Sequence, residues 1–329
     1  MFYAILTIVK IMNMPYAKID NLKDIWTYTA KTMFESIENV QTSCEKQAYI
    51  ADKGLATTLY LAHHLKKPIF LEGEPGVGKT EVAKVLADAT GAKLIRLQCY
   101  EGLDVHSALY EWNYTRQILQ LRIDEAQGRD KKEIGTDLFS EKFLLKRPLL
   151  EAIQGNGDVP PVLLIDEVDR SDSEFEAFLL EILSDFQITI PEIGTIRAKQ
   201  IPYVVLTSNR TREVHEALKR RCLYQWIDYP TVEKELAIVQ TKLPQINEHL
   251  AQQLCEMMQL WREDDYYKKP GIAETLDWGL AILALGKTQL DADIVAETLG
   301  CVFKYQDDIQ RARAAETSEL DKQTDESKQ

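Results

Sequence analysis

Cysteine is sparse in this sequence, and its few thiols are scattered along the chain. The five cysteines show neither C-x-x-C spacing nor the paired spacing of a zinc site. This distribution argues against a disulfide framework and is typical of reduced, mostly buried thiols in a cytoplasmic protein. The adjacent His63 and His64 have no cysteine or carboxylate cluster beside them, so we expect no metal site there.

An excess of positive charge is also lacking. The formal net charge is −13, and non-specific binding to nucleic acid depends on an excess of Lys and Arg. We therefore expect no nucleic-acid partner.

No apolar run is long enough to cross a membrane. The stretch MFYAILTIVKIMNMP is interrupted by Lys10 and falls short of the about 20 apolar residues that a spanning helix needs. It carries neither the early basic residues nor the small-residue cleavage site of a signal peptide. Two interpretations remain: a short packed segment, or an over-extended start with Met12 or Met14 as the true initiator.

Glycine is scarce, with 15 residues in the chain, yet three lie between positions 73 and 78. The stretch GEPGVGKTE has the spacing of a phosphate-binding loop, in which glycine lets several backbone N–H groups point at one anion. Lys79 would reach the β and γ phosphates of ATP, and the Thr80 hydroxyl would bind Mg²⁺. The predicted nucleotide-binding residues are Gly73, Glu74, Pro75, Gly76, Val77, Gly78, Lys79, Thr80 and Glu81.

The flanks of this loop have the required context. KPIFLEG before it predicts a buried parallel strand. EVAKVLADATG after it predicts a helix with one apolar face, ended by Gly91.

A second motif, PPVLLIDEVDR, is an apolar run followed by acids. Ligands of open α/β sheets bind at the carboxyl ends of the strands. Asp166 is therefore predicted to hold Mg²⁺ through water, and Glu167 to act as general base on the attacking water. The next helix is predicted to begin with a capping box between Ser171 and Glu174.

Two further stretches leave alternatives. YVVLTSNR predicts a strand ending in Ser208 and Asn209. Asn209 is either a turn residue or an amide that touches the γ-phosphate or orients the water, and the two preceding motifs favour the functional interpretation. In TREVHEALKRRC, Arg220 and Arg221 end a short helix. They either complement the helix dipole or stabilise charge on a phosphoryl group in a neighbouring subunit, and the spacing alone does not choose.

In order, GEPGVGKT, LLIDEVD, LTSN and ALKRRC resemble the motifs of AAA+ ATPases, most closely the MoxR family, over residues 40–303. The resemblance implies a ring-forming ATPase, expected to be a hexamer, that uses ATP and Mg²⁺. It places the Walker B acids at Asp166 and Glu167 and sensor 1 at Asn209. It also favours Arg221 as the arginine finger, with Arg220 beside it.

The stretch LIRLQCYEGLDVHSALYEWNY resembles the CoxD-like accessory proteins of carbon monoxide dehydrogenase and related molybdenum hydroxylases. This resemblance implies a metalloenzyme client and, from the wider family, a partner with a von Willebrand factor A domain. One departure is clear in KKPGIAETLDWGL, where no sensor 2 arginine occurs. Either Lys268 or Lys269 substitutes for it, or the lid couples to nucleotide more weakly.

The predicted architecture is an α/β P-loop NTPase with a parallel sheet flanked by helices, followed by an all-α lid. Residues 1–39 form an N-terminal segment, 40–229 the core, 230–310 the lid and 311–329 a disordered tail. A helix-2 insertion is expected around 105–147. Its Tyr110, Trp112 and Tyr114 either grip a client in a pore or belong to the core.

Three classes of function fit these patterns. The first is an ATP-driven, chaperone-like remodeller that matures a metalloenzyme. The others are a nucleotide-gated scaffold with low turnover and a DNA-directed NTPase of a restriction-type system. The Asp166–Glu167 pair favours turnover over a scaffold, and the net charge of −13 disfavours the DNA-directed class.

Overall fold

A computed structural model describes residues 32–127, 138–155 and 157–314. The apolar N-terminal stretch, residues 128–137 of the predicted insertion and residues 315–329 of the predicted tail lie outside this range. The described chain divides into two compact units. The first contains residues 32–47, 51–72 and 80–226, and the second contains residues 48–50, 73–79 and 227–314.

The described residues contain nine strands. They are β1 (Ile69–Gly73), β2 (Leu94–Gln98), β3 (Tyr110–Trp112), β4 (Leu144–Lys146), β5 (Val162–Asp166), β6 (Gln187–Ile190), β7 (Gly194–Arg197), β8 (Tyr203–Ser208) and β9 (Leu223–Ile227).

The α-helices are α1 (Ile37–Lys46), α2 (Lys53–Leu65), α3 (Lys79–Thr90), α4 (Val105–Leu109), α5 (Tyr114–Ala126), α6 (Pro148–Gln154), α7 (Ser173–Asp185), α8 (Glu216–Arg221), α9 (Val232–Lys242), α10 (Glu248–Glu263), α11 (Ile272–Ala284) and α12 (Ala292–Val302). Residues 306–314 are also helical.

A five-stranded sheet has the order β2-β5-β8-β1-β9, and its pairs β2–β5, β5–β8 and β8–β1 are parallel. Every residue of β5 is buried, which explains why its sequence is a continuous apolar run rather than an alternating one. Gln98 of β2 lies opposite Asp166 of β5. The predicted fold, a P-loop AAA+ sheet flanked by helices with a C-terminal helical region, is confirmed.

Helix α7 begins one residue later than the predicted capping box requires. Its N-cap is Asp172, whose carboxylate accepts a hydrogen bond from the Phe175 N–H at 2.8 Å. The Ser171 hydroxyl instead donates to the Val168 carbonyl at 2.8 Å. The prediction was wrong because Ser and Asp are equally good N-caps and stand side by side here.

Within the predicted insertion, strands β3 and β4 pair antiparallel, and α5 follows β3 in the chain. Trp112 is buried in the core, opposite Leu144, so it does not grip a client. Tyr110 is half-buried and Tyr114 is exposed. The β6–β7 pair forms the hairpin predicted from DFQITIPEIGTIRAKQIP.

Helix α5 has an inverted amphipathic pattern. Its exposed side chains include Tyr114, Ile118, Leu119 and Ile123. Its buried side chains are the polar Gln117 and Asp124.

The second unit packs α9 to α12 around a common core that includes Leu250, Met258 and Trp278. This core contains a buried ion pair. Arg262 donates to both carboxylate oxygens of Glu235, at 2.5 and 2.7 Å. The Thr275 hydroxyl and the Gln259 amide complete the carboxylate shell, at 2.6 and 3.0 Å.

Four of the five cysteines, Cys44, Cys99, Cys222 and Cys255, are buried, and burial raises the pKa of each thiol to about 12. Cys301 is partly exposed. Within the part of the chain that the structure describes, no helix combines the length and apolar composition needed to cross a bilayer.

We predict that Glu235→Ala destabilises the second unit by about 3–5 kcal/mol, because it leaves the Arg262 guanidinium buried without its partner. Replacing both Glu235 and Arg262 with Met should recover most of the loss, since no charge is then stranded. The matched control is Glu216→Ala, which breaks an exposed pair with Arg220 and should change stability by no more than about 0.5 kcal/mol. Urea unfolding measures all three variants, and equal losses for Glu235→Ala and Glu216→Ala would contradict the prediction.

Candidate functional site

The phosphate loop joins β1 to α3 and depends on two left-handed glycines. Gly76 has φ of 80° and Gly78 has φ of 95°, angles that residues with a side chain rarely adopt. A Cβ placed on Gly78 would meet nothing within 4 Å, so this side of the loop is open. The Lys79 ammonium donates to the carbonyls of Gly73 and Glu74 at 2.8 and 2.7 Å. Lys79 therefore closes the segment from Gly73 to Lys79 on itself.

The turn before α11 contacts this loop within the second unit. The Ala273 N–H donates to the Gly76 carbonyl at 3.2 Å. The sequence has no sensor 2 arginine in this turn. The side chain beside the loop is Glu274, whose carboxylate accepts a hydrogen bond from the Gly271 N–H at 2.9 Å. Lys268 Nζ lies 3.8 Å from Glu274. Lys269 Nζ donates to the Arg262 carbonyl at 2.5 Å, so of the two candidate lysines only Lys268 is near Glu274.

Within the first unit, a carboxylate is buried at the end of β5. Asp166 Oδ1 accepts hydrogen bonds from the hydroxyls of Thr80 and Thr207, at 3.0 and 2.5 Å. Its Oδ2 accepts from the Arg96 guanidinium at 2.6 Å. The structure thus brings the two predicted Mg²⁺ ligands, Thr80 and Asp166, into contact. Burial and the nearby carboxylates, Asp166 foremost, raise the pKa of Cys99 to about 12.

Glu167 stands beside this carboxylate in a left-handed backbone conformation, with φ of 55°. Its N–H donates to the Thr207 hydroxyl at 2.9 Å. Its Oε2 accepts from Gln98 and Arg170, each at 3.0 Å. The Asn209 amide nitrogen lies 3.5 Å from Oε1, so Asn209 and Glu167 are neighbours.

The loop that carries Asn209 is fixed by Asp169, a buried acid for which no role was predicted. Asp169 Oδ1 accepts from the Asn209 N–H at 3.3 Å. Its Oδ2 accepts from the N–H and the hydroxyl of Thr211, at 2.8 and 2.7 Å. Asp169 therefore positions the side-chain amide of Asn209 by holding the backbone of the loop that carries it.

Sequence patterns missed four other polar side chains at this site: Arg96, Gln98, Arg170 and Thr207. The signal for the first two was available. Arg96 and Gln98 alternate along β2, and residues two apart in a strand point to the same face.

The two arginines at the end of α8 are both exposed. Arg220 pairs with Glu216 at 2.6 Å, one helical turn earlier. Arg221 Nε donates to the Ser184 hydroxyl at 2.6 Å. These contacts leave both guanidinium groups at the surface, where a finger acting on another subunit must be.

The residue before these arginines is anchored inward. Lys219 Nζ binds the buried carboxylate of Glu72 at 2.8 Å, and the Tyr224 hydroxyl donates to the same carboxylate at 3.0 Å. Burial, and secondly this bond to Glu72, raise the pKa of Tyr224. Helix α8 is thereby tied to β1.

The donor set fits Mg²⁺, which prefers hard oxygen ligands and binds through one or two carboxylates plus phosphates. Thr80 and Asp166 supply a hydroxyl and a carboxylate oxygen within hydrogen-bonding distance of each other. Among the described residues, no group of three or more His, Cys, Asp or Glu side chains is arranged to hold a metal ion. A Mg²⁺ ion bound here would need further oxygens, which a nucleoside triphosphate provides.

The profile of the AAA domain, dynein-related subfamily, matches residues 68–222. This segment contains the phosphate loop, both acids, Asn209 and both arginines. Residues 68–222, just under half of the chain, match this family and have the P-loop AAA+ fold.

Two Lon proteases are among the curated proteins to which part of this chain is similar. Lon protease 3 of Sorangium cellulosum is 32% identical over 132 residues, which are 39% of this chain and 13% of that protein. The Lon protease of Cytophaga hutchinsonii is 27% identical over 195 residues, 56% of this chain and 20% of that protein. The aligned part of this chain thus spans a fifth or less of these two relatives.

Among solved structures, the RuvB Holliday-junction branch-migration motor of Thermotoga maritima is similar at 16% identity and a TM-score of 0.42, covering 81% of this chain and 71% of RuvB.

Proposed function

We propose that this chain is a Mg²⁺-dependent ATPase. The observation that carries the proposal is the 3.0 Å contact between the Thr80 hydroxyl and the Asp166 carboxylate, beside Glu167. Mg²⁺, when bound, would neutralise charge on the phosphates. Thr80 and Asp166 are the residues that would hold it. Lys79 would neutralise the β and γ phosphates once its ammonium leaves the carbonyls of Gly73 and Glu74.

The same geometry suggests how the attacking water is held. Glu167 Oε2 is engaged by Gln98 and Arg170, which leaves Oε1 as the oxygen to take a proton. The Asn209 amide is 3.5 Å from Oε1. A water bound to both groups would be oriented by Asn209 and deprotonated by Glu167.

We further propose that the active form is a ring, expected to be a hexamer, in which Arg221 acts on the nucleotide of a neighbouring subunit. The exposure of Arg221 supports this, because a residue that acts in a second subunit must lie at the surface. Arg220 is the less favoured donor, since Glu216 already pairs with it.

For the cellular role we propose chaperone-like remodelling during maturation or cofactor insertion of a metalloenzyme, of the molybdenum hydroxylase type. Support comes from the resemblance of residues 94–114 to CoxD-like accessory proteins within the MoxR family. A von Willebrand factor A domain partner belongs to the same proposal. A low-turnover scaffold and a DNA-directed NTPase are the alternatives.

The ATPase proposal predicts that two variants separate binding from turnover. Lys79→Ala should show no measurable ATP binding, because it removes the charge that faces the phosphates. Glu167→Gln should bind ATP and not hydrolyse it, because an amide does not accept the proton. Lys84→Ala, which removes an exposed lysine from the next turn of α3, is the control and should behave as wild type. Calorimetry with Mg²⁺ and phosphate release measure the two steps, and equal ATP affinity in Lys79→Ala and Glu167→Gln would overturn the assignment.

The finger proposal predicts complementation between dead variants. Arg221→Ala should keep its own nucleotide affinity, while its turnover rate should fall on the order of 10³-fold. The fall in turnover rate should be smaller for Arg220→Ala. Mixing Arg221→Ala with Lys79→Ala should restore activity, because some interfaces then join an intact phosphate loop to an intact Arg221. Mixed rings verified by native mass spectrometry, yet inactive at every ratio, would place Arg221 outside trans catalysis.

The client proposal predicts what a trapped complex contains. Glu167→Gln held in ATP should retain its client when purified from the native host, with Lys79→Ala as the matched control that does not bind nucleotide. Mass spectrometry should identify a molybdenum hydroxylase subunit in the first sample alone. Nuclease subunits or bound DNA in its place would favour the DNA-directed alternative.

A further inference from the structure

Position 271 requires glycine because of a close contact with the phosphate loop, and not because of its own backbone angles. Its φ of −92° and ψ of −175° are ordinary extended angles that any residue adopts. A Cβ at this position would lie 2.8 Å from the Gly76 carbonyl carbon and 2.8 Å from the Pro75 oxygen. Both atoms belong to the backbone of the phosphate loop. The turn therefore packs backbone against backbone, at a distance that excludes even a methyl group.

The same turn fixes the orientation of one loop peptide. The Ala273 N–H donates to the Gly76 carbonyl at 3.2 Å. A trans peptide is planar, with its C=O and N–H pointing in opposite directions. Holding the Gly76 oxygen on the turn thus aims the Val77 N–H away from it. Backbone N–H groups of such loops are the groups that bind phosphate.

The core of the second unit holds this turn in place. Arg262 Nε donates to the Pro270 carbonyl at 2.8 Å, and the guanidinium is locked by its buried pair with Glu235. Arg262 also stacks over the Tyr229 ring, 5.1 Å from its centroid. A rigid support thus reaches the Gly76 carbonyl through only four residues of chain, Pro270 to Ala273.

We propose that Gly271 and Ala273 are positioning residues for phosphate binding: they orient the Val77 N–H toward the phosphates of a nucleoside di- or triphosphate. This inference rests on the proposed nucleotide binding. Gly271 permits the close approach, and Ala273 supplies the hydrogen bond. Because binding couplings are reciprocal, phosphate on the loop also tightens the Ala273 hydrogen bond. The lid is thereby coupled to the nucleotide by a backbone contact, where the stretch KKPGIAETLDWGL has no sensor 2 arginine.

The test is Gly271→Ala, measured by calorimetry with Mg²⁺–ADP and with a non-hydrolysable ATP analogue. We expect both affinities to fall by about tenfold or more, since the methyl separates the turn from the loop and one charge-assisted hydrogen bond is misaligned. The control is Gly300→Ala in α12, where a Cβ meets nothing within 4 Å, and its affinities should equal those of wild type. Nucleotide-binding wild type together with unchanged affinities in Gly271→Ala would overturn the inference and leave the proposed ATPase intact. A wild type that binds neither nucleotide would overturn both.

A second readout separates positioning from simple loss of structure. Hydrogen exchange of the Ala273 amide should slow when wild-type protein binds Mg²⁺–ADP, and this slowing should vanish in Gly271→Ala at saturating nucleotide. Without nucleotide, Gly271→Ala should keep the circular-dichroism spectrum of wild type and unfold in a cooperative thermal transition, because only the contact between the turn and the loop is lost. If Gly271→Ala does not fold, Ala273→Pro decides, because the first helical turn tolerates proline and its ring carbon replaces the N–H that binds the Gly76 carbonyl, an N–H with no intrahelical acceptor. Undiminished affinity in folded Ala273→Pro would then overturn the inference.

Discussion

The buried carboxylate of Asp166 is the interaction on which the AAA+ core depends. A carboxylate taken out of water is stable only when its oxygens are fully hydrogen-bonded. Asp166 meets this requirement with Thr80 at the start of α3, Thr207 on β8 and Arg96 on β2. One side chain therefore ties the helix after the phosphate loop to two strands. The Thr207 hydroxyl also accepts a hydrogen bond from the Glu167 N–H, so the same hydrogen-bond network sets the conformation of the proposed base.

The proposed nucleotide is a polyanion, and a chain of net charge −13 would bind it without help from its overall field. The loop would do this locally, with its backbone N–H groups, the start of α3 and the ammonium of Lys79. Even the neighbouring side chain on the lid turn, Glu274, is acidic, and its carboxylate is occupied by the Gly271 N–H. Short-range dipoles suffice because they act at contact distance, whereas the repulsion from distant carboxylates is screened by salt.

Sequence predicted the elements whose signals are local. The strand, glycine loop and helix around Gly78 follow from a few adjacent residues, and so does the buried β5 before Asp166. Features that depend on distant partners were missed: Asp169 fixing the Asn209 loop, the Glu235–Arg262 pair, and the inverted α5, whose exposed Ile118 reverses the usual apolar pattern. Trp112 and Tyr114 look equivalent in sequence, but only the pairing of β3 with β4 shows that the first is buried. The MoxR-like subgroup, the ring and the client stay predictions.

The burial of the cysteines also makes this chain suited to site-directed chemical labelling. Maleimides and related reagents react with thiolates, and a thiol with a pKa of about 12 is almost wholly protonated at neutral pH. Among the five, only the partly exposed Cys301 competes for the reagent. Replacing that one residue leaves a background on which a single introduced cysteine carries a fluorophore or spin label, with the four buried thiols left in place as core packing.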